Sequence, residues 1–252
     1  MDNKAQAGLV LTAEYSDLWK EDKKTETNEV MFALQHSAKH KIASNYGKSY
    51  YPSDYSPNAG WADYYGNEDF FKAYPNDDRK EWNYMTEWKI KSGEIIPYTE
   101  SADKLPAISK YYDYDEGAPG KSAQSNGITC IYRYAEVLLM YAEASTRATN
   151  SVNQDALNAI QEVQKRAGYQ DRQIELTTTT EPTAFLAAVS NERGWEFFAE
   201  MKRWFELVRL EKVKEVRAEE WDASTFNTNH HYYFPVPYQQ VDLAGWTNNA
   251  GY

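Results

Sequence analysis

The sequence predicts a mainly α fold of helical hairpins, with long irregular loops and a few short strands. Three observations predict it. Apolar residues recur at helical spacing through the last half of the chain, an aromatic-rich middle stretch is broken repeatedly by proline and glycine, and β-type runs are short and few. The 252 residues suffice for one sizeable core. The expected organisation is a single domain over 1–252, in which 43–127 form the irregular aromatic region and 128–252 the principal helices and a tail.

In chain order, residues 5–20 read as a short helix with Leu9, Leu11, Ala13, Leu18 and Trp19 apolar. A polar turn leads to the strand-like run Val30-Met31-Phe32-Ala33-Leu34. In the middle region Pro52, Pro57, Gly60, Gly66, Pro75, Pro97, Gly117, Pro119 and Gly120 interrupt any long element. There only 68–73 reads as helix, and 82–91 reads as strand-like. Residues 131–148 form an uninterrupted helix with a face of Tyr134, Val137, Leu138, Tyr141 and Ala144. A second helix carries the stripe Ala156, Ile160, Val163 and Ala167, and Gly168 is placed to stop it. A third starts at Pro182 and runs through Phe185, Val189, Trp195 and Phe198 to about Arg209. Two antiparallel helices on a short loop are the unit of tetratricopeptide-like arrays. The tail 232–237 is extended, because proline disfavours helix at the residue before it.

Composition excludes several functions. A net charge of −11, with Lys and Arg interleaved among Asp and Glu, leaves no basic patch for nucleic acid. A mean hydropathy of −0.80 and the lack of a long apolar run leave no spanning helix. Met1 leads directly into polar residues, so a targeting segment, if the protein is exported, is expected outside this chain. The single cysteine, Cys130, reads as a small buried hydrophobe.

The outlier is aromatic content: 21 Tyr, 8 Trp and 9 Phe, many in polar, turn-rich stretches where no core periodicity accounts for them. The best candidate site is Trp61, Tyr64 and Tyr65, with Tyr50, Tyr51 and Tyr55 nearby. An indole or phenol ring buries the CH face of a sugar and leaves its hydroxyls for Asp63, Asn58 or Asn67. The competing reading is that these rings fasten a long loop to the helices.

Charged residues on the helices admit two readings. Arg133, Glu136 and Glu143 return to one face of a helix, and Arg193, Glu196 and Arg203 offer complementary charges. They read as a structural ion-pair network; the alternative is the acid and base of a glycoside hydrolase. His36 and His40 have the spacing of a helical metal pair but lack the glutamate of a zinc-protease helix, and read as loop histidines. His230 and His231 point to opposite sides of an extended chain. The run Asp113-Tyr114-Asp115-Glu116-Gly117 lacks calcium-loop spacing and reads as a solvated turn. No metal or cofactor is expected.

Four stretches, in order, resemble the SusD/RagB family. Tyr132-Arg133-Tyr134-Ala135-Glu136-Val137-Leu138-Leu139-Met140-Tyr141-Ala142-Glu143-Ala144 matches its arginine-tyrosine-alanine-glutamate helix. Asn191-Glu192-Arg193, Glu196-Phe197-Phe198 and Lys202-Arg203-Trp204-Phe205-Glu206-Leu207 resemble its second signature helix. Phe234-Pro235-Val236-Pro237 with Asp242-Leu243 and the closing Gly251-Tyr252 resembles its final segment, and Asn28-Glu29-Val30-Met31-Phe32 its strand. Met201 departs from a usual glycine, Lys202 from a histidine, Gln240 from an acid and Ala250 from a proline. A glycine at 201 implies close packing or an unusual dihedral. The resemblance implies the C-terminal half of an outer-membrane lipoprotein roughly twice this length, anchored by an N-terminal segment outside this chain. It further implies a non-catalytic protein that captures an oligosaccharide and hands it to a TonB-dependent outer-membrane transporter. A docking scaffold without ligand is the remaining alternative.

Overall fold

The computed structural model describes residues 4–56, 59–111, 125–216, 232–250 and 252. They form two compact units, Met1–Glu200 and Met201–Tyr252.

In the first unit a hairpin of α5 (Tyr134–Thr149) and α6 (Gln154–Arg166) packs with α7 (Pro182–Glu196). The earlier helices are short: α1 (Lys4–Ala7), α2 (Tyr46–Tyr50), α3 (Glu68–Ala73) and α4 (Asp78–Asn83). Three two-stranded antiparallel sheets accompany them. They pair β1 (Val30–Gln35) with β6 (Ile128–Arg133), β2 (Tyr84–Met85) with β5 (Ala107–Ile108), and β3 (Glu87–Lys89) with β4 (Ile95–Pro97). This is the mainly α, hairpin-based architecture the sequence predicts.

Local chemistry sets the helix ends. The Asn153 side chain accepts a hydrogen bond from the Ala156 amide at 2.8 Å and so satisfies one of the free donors at the start of α6. Glu181 does the same for Thr183 and Ala184, with Pro182 in the first turn of α7. Beyond α6, Gly168 adopts φ +82, a left-handed conformation that favours glycine, and a Cβ there would also displace the Asp78 carboxylate, 2.3 Å away at Oδ2. The core of the hairpin sets Leu138, Leu139 and Ala142 against Ala156, Ile160 and Val163, closed by Phe185 and Val189. All are fully or almost fully buried, and truncating Ile160 would cost about 2–5 kcal/mol. A second apolar cluster, around Leu18, Trp19, Tyr111, Ile128 and Cys130, lies beneath the aromatic loops.

The structure corrects four expectations. The run 131–148 is not helical throughout: Ile128–Arg133 is a strand, because Ile128, Thr129 and Cys130, two of them β-branched, pair with Gln35, Leu34 and Ala33 of β1. The chain turns into α5 at Tyr134, whose amide donates to the Glu29 carbonyl at 2.8 Å. Arg133 therefore ends a strand rather than sharing a helix face with Glu136 and Glu143. Residues 5–20 hold α1 and a 3₁₀ turn, Tyr15–Leu18, because Gly8 at φ +65 ends the helix. In 82–91, α4 continues to Asn83 before the strands begin.

The fourth correction concerns the helix from Pro182, which stops at Glu196 instead of reaching Arg209. The carbonyls of its last two residues, and of the turn that follows, are taken by side chains from elsewhere in the fold. Tyr74 Oη donates to Trp195 O (2.6 Å), Arg133 Nη2 to Glu196 O (2.7 Å), Lys110 Nζ to Phe198 O (2.7 Å) and Tyr111 Oη to Ala199 O (3.0 Å). Ala199 and Met201 then take left-handed φ values of 58 and 61. The unusual dihedral that a glycine at 201 would imply is thus present, and carried by methionine.

Two of those donors, Arg133 and Lys110, belong to a buried charge cluster. Arg133 Nη1 reaches Glu29 at 2.8 Å and Glu196, and its Nη2 reaches Glu200 at 2.9 Å. Arg166 binds Glu29 at 2.9 Å and also Glu196. Arg79 binds Asp77, Glu192 and Glu196 at 2.6, 2.6 and 2.8 Å, and Lys110 binds Glu200 at 2.7 Å. Eight of these nine side chains are 0% exposed, and Arg166 is 4% exposed. Burial pushes Glu196 and Glu200 upward, and the surrounding cations more than reverse it, holding both below the usual carboxylate range. For Asp77 and Glu192 burial prevails over Arg79 and both are raised. Burial also lowers Lys110 to about 8, with Glu200 opposing it. Of the six residues expected to form one network, Arg133 and Glu196 meet in this cluster. Glu136 faces Arg193 at 3.6 Å, Glu143 holds Arg147 at 2.7 Å on its own helix, and Arg203 reaches Glu206 at 3.4 Å.

The second unit contains α8 (Arg203–Arg209), α9 (Val213–Val216) and α10 (Tyr238–Ala244). Its tail is free of helix over 232–237, as expected, and α10 follows Pro237 with its carbonyl accepting from the Gln240 amide at 2.8 Å.

Candidate functional site

The aromatic loop is held by backbone bonds to α2. Residues 60–63 run back beside 48–52: Gly60 N donates to Pro52 O (2.9 Å), Trp61 N to Lys48 O (2.6 Å), Ala62 N to Tyr51 O (3.0 Å) and Asp63 N to Ser49 O (2.9 Å). The loop thereby satisfies carbonyls that the end of a short helix leaves open. Close approach is possible because residue 60 is glycine: a Cβ there would lie 2.0 Å from Tyr51 O. Ala62 takes φ 57, which turns the chain between Trp61 and Asp63.

The predicted aromatics divide between floor and surface. Tyr50 and Tyr51 are 8% and 2% exposed, so neither offers a ring to a ligand, contrary to the sequence reading. Tyr50 stacks on Tyr111 with centroids 5.9 Å apart, and Tyr51 packs on Tyr55 at 5.1 Å. Burial, then the neighbouring Tyr46 and Tyr64, push the Tyr50 hydroxyl up to about 12. Tyr55 is half-buried. Tyr65 is half-buried too, and its hydroxyl donates to Asp103 at 2.6 Å; burial and then this carboxylate raise its pKa.

Trp61 and Tyr64 remain open, 50% and 61% exposed, with Asp63 exposed between them. Tyr64 rests on Tyr50 at 5.8 Å, so a buried ring supports an exposed one. Lys48, which sequence reasoning missed, places Nζ 4.7 Å from the centre of the Trp61 ring. No local pattern announces it, since the contact exists only once the loop folds back. Asn67 does not serve the platform as expected: its side chain accepts from the Phe70 amide at 2.9 Å and caps α3. Asn58, the run 113–117 and His230–His231 lie outside the described residues. His36 Nε2 meets Thr129 Oγ1 at 2.7 Å while His40 Nδ1 meets Ser37 Oγ at 3.1 Å, so each ring has its own partner. Among the described residues no cluster of His, Cys, Asp and Glu is arranged to hold a metal, and no helix is long and apolar enough to cross a membrane.

This fold is shared with solved SusD-like structures. A SusD homolog from Bacteroides thetaiotaomicron superposes with a TM-score of 0.78 at 20% identity, covering 99% of this chain and 57% of that one. Surface glycan-binding protein A from the same organism, solved in complex with laminarihexaose, gives 0.69 at 24% identity, over 96% of this chain and 56% of that one. The chain belongs to the SusD family, whose model matches residues 83–252. SusD-like protein P2 of Formosa agariphila is 25% identical over 100% of this chain and 54% of its own length. The chain thus spans about half the length of the relatives it matches.

Proposed function

We propose that this chain is the ligand-contacting half of a non-catalytic, lipid-anchored cell-surface protein that captures an oligosaccharide and passes it to a TonB-dependent outer-membrane transporter. The observation that carries the reading is the pair of exposed rings, Trp61 and Tyr64, on a loop pinned by backbone hydrogen bonds. Exposed aromatic surface costs free energy in water unless something covers it, and a pyranose CH face is a matching cover. The rigid floor of Tyr50 and Tyr111 lets the rings bind without first being ordered. Membership of the SusD family supports the same reading, as does the laminarihexaose complex of a fold neighbour.

The test is a screen of the chain against plant, host and microbial polysaccharides, followed by titration of Trp61→Ala with the best ligand. Loss of a stacked aromatic anchor weakens binding by about 1–3 kcal/mol. The melting temperature stays within a degree, since Trp61 is half exposed and outside both apolar clusters. Unchanged affinity moves the site elsewhere. A large fall in melting temperature makes Trp61 a loop fastener instead.

A further inference from the structure

The two open rings are supported in different ways, and the difference assigns a positioning residue, an inference that rests on the proposed function. Tyr64 lies on a buried ring, Tyr50, at 5.8 Å. Trp61 has no such floor: among the described residues it packs on no other ring, and its indole N–H meets no acceptor. Trp82 and Trp88 are fastened through that group. Trp82 Nε1 donates to Lys110 O at 3.2 Å, and Trp88 Nε1 to Asp54 Oδ1 at 2.8 Å. Trp61 is held by its face instead, with Lys48 Nζ over the ring, 4.7 Å from its centre.

The backbone builds this contact. Trp61 N donates to Lys48 O at 2.6 Å, so the two residues stand side by side. The close approach of Gly60 to Tyr51 sets the loop at that distance. Lys48 is half-buried, and among the described residues its ammonium enters no ion pair. A lysine can lay its aliphatic stem along an apolar surface and place its charge at the end of it. Here the end is the face of the indole.

An exposed tryptophan has side-chain freedom to lose when a ligand stacks on it, and a cation seated on one face removes part of that freedom in advance. The same cation covers that face, which leaves a ligand the opposite face and the open N–H. We infer that Lys48 is a positioning residue for saccharide capture: it acts through Trp61, presetting the ring, and does not itself touch the ligand.

The test is calorimetric titration with laminarihexaose, cellohexaose, mannohexaose and hexagalacturonate, on the parent and on Lys48→Gln, Lys48→Arg and Trp61→Ala. Lys48→Gln is expected to weaken the tightest probe by about 2–10-fold with an unchanged melting temperature. Lys48→Arg is expected to restore it to within about twofold, because a guanidinium also stacks on indole. Added to Trp61→Ala, Lys48→Gln is expected to change nothing further. In ligand-free protein labelled with fluorotryptophan, the fluorine resonance missing from Trp61→Phe is expected to shift in Lys48→Gln and not in Asp103→Asn. Parent affinity in Lys48→Gln overturns this inference, and so does a Lys48→Gln loss that persists in the Trp61→Ala background, which would make Lys48 a direct ligand contact; both leave the proposed function standing. Binding of none of the four probes, or binding indifferent to Trp61→Ala, removes the proposed function and this inference with it.

Discussion

Replacing Arg133 by alanine tests the account of the core most directly. Arg133 donates five hydrogen bonds: Nε to Glu200 at 3.1 Å, Nη1 to Glu29 at 2.8 Å and to Glu196, and Nη2 to the Glu196 carbonyl at 2.7 Å and to Glu200 at 2.9 Å. The cluster holds four cations (Arg79, Lys110, Arg133, Arg166) against five carboxylates (Glu29, Asp77, Glu192, Glu196, Glu200), formally one negative charge. Without Arg133 the excess doubles. Glu29 then relies on Arg166, and Glu200 on Lys110. Removing one partner from a buried charge set costs about 3–5 kcal/mol, because the remaining ions stay desolvated. At about 2–4 °C per kcal/mol for a chain of this size, the melting temperature falls by roughly 6–20 °C. Arg133→Met, which keeps volume but not charge, should do nearly as much harm. Arg147→Ala, which removes a half-exposed pair with Glu143, should cost under about 0.5 kcal/mol. The assay is thermal and urea unfolding followed by circular dichroism. Acid adds a second readout. Glu196 and Glu200 have folded pKa values below their unfolded ones, so their stabilisation is complete above the unfolded pKa and is lost as pH falls. Arg133→Ala weakens that depression, so the gap between parent and variant narrows from pH 7 to about pH 4. An Arg133→Met protein as stable as the parent, or a gap that widens in acid, refutes the reasoning.

Three further outcomes follow from the same coordinates. Lys110 is depressed to about 8 in the folded protein, so across the window from there to the unfolded lysine value the unfolded chain binds more protons and stability contributed by this group rises with pH; urea titrations at pH 8 and 9.5 should show that rise in the parent and lose it in Lys110→Met. Gly60→Ala forces the loop off Tyr51 and should weaken oligosaccharide binding at least about tenfold, as a displaced anchor does, with a smaller loss of stability; unchanged affinity would mean the loop's position is irrelevant to the ligand. Met201→Gly removes the left-handed cost while adding unfolded-state freedom, for a net gain of about 0.5 kcal/mol, and a lower melting temperature would contradict the assigned backbone.

The parts of the fold governed by neighbours in sequence were legible in it. The α5–α6 hairpin, the stop at Gly168, the start at Pro182 and the helix at Glu68–Ala73 all rest on periodicity, capping or forbidden dihedrals. What the sequence withheld depends on distant partners. Residues 128–133 become a strand because β1 lies alongside, nearly a hundred residues earlier. Arg79, Lys110 and Arg166 carry no local mark of burial, and lysine and arginine are usually solvated. In the proposed site, Trp61-Ala62-Asp63-Tyr64-Tyr65 drew attention to a loop that places two rings in solvent. Which rings face solvent was decided by Tyr111, which takes Tyr50 into the floor, and by the return of the loop onto α2.

The end of α7 has a consequence of its own. Its stop signal is spelled by residues 74, 110, 111 and 133, none of which belongs to the helix. The segment 182–209 taken alone carries no proline after its first residue and would read through 197–202 as continuous helix. The break therefore depends on tertiary contacts rather than on local sequence. Local propensity has little authority at 199 and 201, and a methionine can keep a conformation that glycine would hold more cheaply. Homologous chains can be expected to spell the same junction with different residues wherever the four distant donors are retained.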